Sequence, residues 1–179
     1  MLMVRASVIE AFEVASNRLV SRLDDMTDQE FFWSMSPDWW SVRQDVCGAW
    51  VLDAERPGSQ PAALTTIAWR LSHLGGPVFG GYSRWLATGA SPFDDDHAVP
   101  PTANAARFLY QRNYQRWHDT LVSCSDTRLI DPIGERFGEC ATKSGLDLCF
   151  HVLDELIHHA AEIALLRDLY EHHGCNSRL

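Results

Sequence analysis

The chain has no apolar run approaching the about 18 residues that a membrane-crossing helix needs, so no transmembrane segment is expected. It also has no excess of basic charge. The 15 Lys and Arg stand against 24 Asp and Glu, for a net charge of −9. The basic residues are scattered and the run Asp94-Asp95-Asp96 adds local repulsion, so no face is offered to nucleic-acid phosphates. No Cys-x-x-Cys pair occurs. The five cysteines, Cys47, Cys124, Cys140, Cys149 and Cys175, are odd in number and irregularly spaced. That pattern excludes an all-cysteine zinc site and does not fit a secreted disulfide frame, so free thiols are expected. The start, Met-Leu-Met-Val-Arg-Ala, lacks the basic region, apolar block and cleavage site of a signal peptide; a cytoplasmic location is the expectation. No stretch alternates apolar and polar residues for long enough to argue a sheet, and no repeat is visible. The glycines between Gly75 and Gly81 have neither the preceding strand nor the spacing of a dinucleotide motif.

What is present reads as helix. The 179 residues, 46% of them hydrophobic, are enough for one domain over residues 1–179 with a sizeable core. Val4, Val8, Phe12, Ala15, Leu19 and Leu23 recur at three- and four-residue steps and predict a helix over 5–23. Thr27 and Glu30 mark a short helical start. Residues 33–63 read as a long irregular segment with Pro37, Gly48, Pro57, Gly58 and Pro61. It is rich in tryptophan (Trp33, Trp39, Trp40, Trp50), which packs it onto the helices, and Val51-Leu52-Asp53 has room for a short extended piece. Thr65 or Thr66 caps a second helix over 66–75, with Ile67, Leu71 and Leu74 on one side and Trp69 and His73 on the other. Gly75-Gly76-Pro77 is expected to end it, and a short helix within 77–89 carries Phe79, Tyr82, Trp85 and Leu86. Thr102 caps a third helix over 103–123, facing inward through Ala106, Tyr110, Asn113, Trp117 and Leu121. Four main helices joined by loops define an all-α four-helix bundle, in which sites are built from inward-facing residues of different helices.

The fourth helix, 144–174, organises the chain. Ser144 and Asp147 form a capping pair at its start, and Gly174 is expected to close it. Its core stripe is Leu148, Val152, Leu156, Ile163, Leu166 and Tyr170. At about 100° per residue, His159 lies roughly 20° from the middle of that stripe, Glu155 roughly 60° and His158 about 120°. Glu155 and His159, four apart, therefore rise from the same face. A carboxylate and an imidazole so placed can share a metal ion. A core histidine satisfied by a hydrogen bond, beside a solvated polar face, is the other reading of the same pattern, and for His73 as well.

The run Thr65-Thr66-Ile67-Ala68-Trp69-Arg70-Leu71-Ser72-His73-Leu74, followed downstream by the segment from His151 to Ile163, resembles the DinB/YfiT-like superfamily. Trp40-Ser41-Val42-Arg43 and the segment from Leu165 to Tyr170 are similar to an actinobacterial-type branch of it. The resemblance covers nearly the whole chain. It implies a DinB/YfiT-like four-helix bundle with long loops and a divalent metal (zinc, nickel or iron) held by three residues. One is a histidine on the second helix, here His73. Two lie four apart on the fourth helix, commonly as His-x-x-x-His; here they are Glu155 and His159. Glu155 departs from that pattern, and two histidines with one carboxylate remain a valid ligand set with open positions. Asp154 and His158 form a competing pair.

Characterised members of the superfamily are similar to S-transferases and isomerases that use a low-molecular-weight thiol such as bacillithiol or mycothiol. A thiol on such a metal loses its proton near neutral pH and becomes a nucleophile. The resemblance thus implies a metal-dependent thiol S-transferase or isomerase acting on a small-molecule substrate. Glu162 is placed to orient a ligand or move a proton, and Arg70 and Arg167 to hold an anionic group. Two other readings stand beside this one: a stress-response or small-ligand-binding bundle whose metal site has degenerated, and a metal-dependent hydrolase. A homodimer is compatible with broad apolar helix faces, and no residue set selects it.

Overall fold

The computed structural model describes residues 2–53, 63–92 and 98–176. Pro57, Gly58, Pro61 and the Asp94-Asp95-Asp96 run lie outside them. The fold is all-α apart from one two-stranded ribbon. Helix α1 spans Leu2–Arg22, α2 Asp28–Phe31, α3 Ile67–His73, α4 Tyr82–Thr88, α5 Ala103–Ser123, α6 Asp126–Ile130 and α7 Gly145–Asn176. Strands β1 (Val42–Gln44) and β2 (Trp50–Leu52) pair antiparallel. Three residues each are too few to show a two-residue period, which is why the sequence reads as irregular there.

The four long elements close a ring in which α1 touches α5 and α7, and the helix beginning at α3 touches α5 and α7 in turn. The predicted stripes supply the shared core. Phe12, Phe79, Tyr110 and Trp117 are fully buried, and Phe12 and Phe79 each meet Trp117 at ring-centroid distances of 5.5 and 6.4 Å. Burying such a side chain contributes about 1.5–3 kcal/mol. Among the described residues no helix is long and apolar enough to cross a membrane.

Two helix ends differ from expectation. Gly75-Gly76-Pro77 does not end the second helix. Leu74–Gly81 is a π-helical stretch that joins α3 to α4 without a break, and the chain turns out only at Gly89, whose φ of 76° needs a glycine. A proline in an α-helix collides with the carbonyl four residues back; the wider π turn gives the Pro77 ring room. Gly75 has a packing reason: a Cβ there would lie 3.1 Å from the backbone nitrogen of Tyr110, so α5 comes close only because the position is bare. The amide of Asn113 donates to Gly75 O at 2.6 Å across the same contact. Helix α7 likewise runs past Gly174 to Asn176; a glycine permits a helix stop without forcing one.

Arg167 is spent on this scaffold. Its Nε and Nη2 meet Glu30 Oε1 and Oε2 at 2.5 and 3.2 Å. Its Nη1 donates to the carbonyls of Arg22 and Asp24. The fork ties α7 to the turn between α1 and α2, and Glu30 is only 4% exposed. Removing one partner of a buried pair strands the other's charge, so Arg167→Ala is expected to cost about 3–5 kcal/mol in urea unfolding, and Glu30→Leu/Arg167→Met less than that single change. A loss for Arg167→Ala below about 1 kcal/mol would contradict the clamp.

Candidate metal centre

The second-helix side of the site begins at Thr66, whose hydroxyl accepts from Trp69 N at 3.2 Å and sets where α3 starts. Trp69 and His73 then rise one turn apart. The indole stacks on the imidazole at 4.9 Å with 15° between planes, fixing the ring's orientation. Trp69 is held in turn: its Nε1–H donates to Asp53 O at 2.8 Å. The Asp53 carboxylate accepts from Ser41 N and Arg43 Nε, both at 2.8 Å. Trp40 packs against Trp69 at 6.2 Å. The tryptophan-rich segment is thus the backing of the site.

The α7 side is set by the expected capping box. Asp147 N donates to Ser144 Oγ at 3.1 Å, and Ser144 N donates to Asp147 Oδ2 at 2.8 Å. That fixed start carries Glu155 and His159 round to face α3. Glu155 Oε2 lies 3.2 Å from His73 Nε2 and 3.2 Å from His159 Nε2. The imidazole centroids are 5.2 Å apart and nearly perpendicular. One ligand atom from each residue lies within 4.8 Å of the others, which is the convergence that one cation requires. The side chains are 24%, 26% and 11% exposed for His73, Glu155 and His159, so the cluster is walled but reachable.

The polar groups behind His159 suit a ligand. Its Nδ1 lies 2.9 Å from Glu162 Oε2 and 3.2 Å from Arg70 Nη1, and Arg70 and Glu162 are themselves ion-paired. When Nε2 carries the proton and donates to Glu155, Nδ1 can accept from Arg70. When Nε2 offers its lone pair to a metal, the Nδ1–H can donate to Glu162. Either tautomer finds a partner, and the second is the carboxylate–histidine arrangement that orients metal ligands. Electrostatics agree with a cation site. Hydrogen bonds from His159 and His73 hold Glu155 well below the usual carboxylate range, and burial pushes the His159 pKa down, keeping the imidazole neutral. Burial also lowers Arg70 to about 10, still charged at neutral pH.

His158, His159 and Glu162 make a second converging group. The Arg70 guanidinium paired with Glu162 opposes a cation there. Asp154 and His158 are exposed and are not brought to His73. Arg70 lies behind His159, 11% exposed, and Arg167 sits on Glu30. The thiols of Cys47, Cys124, Cys140 and Cys149 are free, and burial raises Cys149 to about 12, which makes it inert.

A cavity of about 490 Å³ lies one turn of α7 away from the cluster, on the side of His151, with Tyr82, Phe137, Ile133 and Leu148 as apolar walls and Arg136, Lys143, Asp147 and His151 as polar ones; His73, Glu155 and His159 do not line it. His151 Nε2 is 3.9 Å from Glu155 Oε1. Burial raises the Tyr82 pKa, with the Glu155 charge adding to the effect. Neither the cavity nor Tyr82 stood out in the sequence. His151, one turn before Glu155, was a readable signal; Tyr82 required knowing that the helix crosses Pro77.

The family model of the DinB superfamily matches residues 11–163. The chain belongs to the DinB superfamily. No curated protein and no solved structure matches it.

A folded histidine with a lowered pKa takes up its proton later than the unfolded chain does. The metal-free protein is therefore expected to lose stability as pH falls below about 6.5, the unperturbed histidine value. The contribution of Glu155 persists until pH falls below about 4. Urea midpoints at pH 7.5 and 5.5 check this: the drop should be smaller in His159→Gln, and an equal drop in both proteins counts against a neutral buried imidazole.

Proposed function

We propose that this chain is a divalent-metal-dependent enzyme acting on a small molecule, with a low-molecular-weight thiol as cosubstrate in an S-transfer or isomerisation. The observation that carries the proposal is the convergence of His73 Nε2, Glu155 Oε2 and His159 Nε2; a cavity opens one turn away, at His151. The donor set fits zinc, nickel or iron: two imidazole nitrogens, one carboxylate, and partial exposure that leaves positions for a further ligand. Such an ion, when bound, brings the pKa of a thiol or water in its open positions toward neutrality. The thiol reading rests on the family resemblance.

The chain's own residues do the rest. Glu155 supplies the negative charge that balances the cation. Glu162 orients His159 through Nδ1, and Arg70, ion-paired with Glu162, holds that carboxylate in place. Tyr82 and Phe137, stacked at 6.4 Å, face an apolar substrate body. Arg136 and Lys143 favour a substrate with a negative group. The domain works on small molecules in the cytoplasm, away from nucleic acid and membrane.

A second reading has its own observation. Glu155 already receives hydrogen bonds from both imidazoles, so the cluster is satisfied without an ion. On that reading the protein is a non-catalytic small-ligand-binding bundle.

Elemental analysis and calorimetry separate the two. The wild type is expected to hold close to one zinc or nickel per chain. His159→Ala and His73→Ala should lose it, and Glu162→Gln should weaken it about 10–100-fold. Equal occupancy in wild type and His159→Ala would sink the metal reading. Turnover of an electrophile with mycothiol or bacillithiol that stops on chelation supports S-transfer. Metal-dependent turnover of esters or amides alone points to hydrolysis, and ligand binding that survives chelation without any turnover points to the second reading.

A further inference from the structure

A second cavity, of about 460 Å³, lies between the π stretch with α4 and helix α5. The helix that carries His73 and Tyr82 toward the metal centre also walls this one, through Gly76, Gly80, Ser83 and Arg84. From α5 come Arg112, Asn113, Arg116 and Thr120. All charged residues among the described lining are arginines, and no carboxylate is among them.

That charge is unusual for this chain, whose net charge is −9. Arg5, Arg22, Arg43, Arg70, Arg107 and Arg167 each pair with a carboxylate. Among the described residues, Arg112 and Arg116 have no carboxylate partner. Among the described residues, the Arg112 side chain makes one polar contact, a 3.3 Å bond from Nε to Oδ1 of its neighbour Asn113. The two guanidinium groups leave one helix a single turn apart, a spacing at which like charges repel. Arg84, from α4, lines the same cavity and has a partner of its own. Gly76 and Gly80 present bare backbone, so a ligand can approach the helix closely.

We infer that this cavity is a binding site for a small molecule bearing a phosphate or similar doubly charged oxyanion. Guanidinium forks match such a group bidentately, and binding relieves the repulsion between Arg112 and Arg116. The volume exceeds what an isolated oxyanion fills, so the ligand has an organic body that lies along Gly76 and Gly80. The site is separate from the metal centre and does not depend on the proposed reaction.

The test is calorimetric titration of the full chain, at low ionic strength, with inorganic phosphate and with ribose 5-phosphate. Both should bind saturably, the ester at least as tightly. Arg112→Gln/Arg116→Gln should weaken both at least tenfold. Its urea midpoint should be equal to or above that of the wild type, because a repulsion has been removed. His73→Ala should bind both probes as the wild type does, which keeps the metal centre out of the result. The inference is overturned if neither probe saturates, if the double variant binds like the wild type, or if His73→Ala abolishes binding.

Discussion

One carboxylate oxygen holds the two halves of the centre together. Glu155 Oε2 faces the Nε2 atoms of His73 and His159 at the same 3.2 Å, and so joins the second long helix to the last one. Without a metal, two imidazole N–H groups satisfy a half-buried charge. With one, the same three atoms become donors to it. The site therefore need not be strained or unsatisfied in either state. The tautomer change this demands of His159 is provided for behind the ring, where Arg70 and Glu162 stand on the same nitrogen with opposite hydrogen-bonding roles.

The rest of the fold can be read as support for those distances. Stacking by Trp69 holds His73, and the carbonyl of Asp53 holds Trp69. Arg43 of the ribbon, and Ser41 just before it, hold the Asp53 side chain. On the other side, the Ser144–Asp147 box sets the register of α7, and the Arg167–Glu30 clamp pins its far half to the α1–α2 turn. The three converging side chains stand on helices rather than loops, which keeps their positions precise. The π stretch after His73 widens the helix where Pro77 would otherwise end it, and so brings Tyr82 to the cavity that His151 also lines.

Much of this was legible in the chain. The stripes of α1, α5 and α7, and the caps at Thr66, Thr102 and Ser144, are local signals, and local signals survive in sequence. The wheel of the last helix separated buried His159 from exposed His158. What the sequence concealed depends on tertiary packing. Gly75-Gly76-Pro77 has the composition of a stop, and only the close approach of Tyr110 explains why the helix continues. Arg167 beside Tyr170 resembled a ligand-facing arginine, and its partner Glu30 lies at the far end of the chain. The β ribbon was too short to show its period. The two cavities are shapes between elements, and no single segment encodes them.

X-ray absorption spectroscopy of the zinc-loaded protein tests the central claim most directly. The account predicts a first shell containing two imidazole nitrogens and at least one carboxylate oxygen, at about 2.0–2.2 Å. A shell without imidazole scattering, or one containing cysteine sulfur at about 2.3 Å, would contradict it.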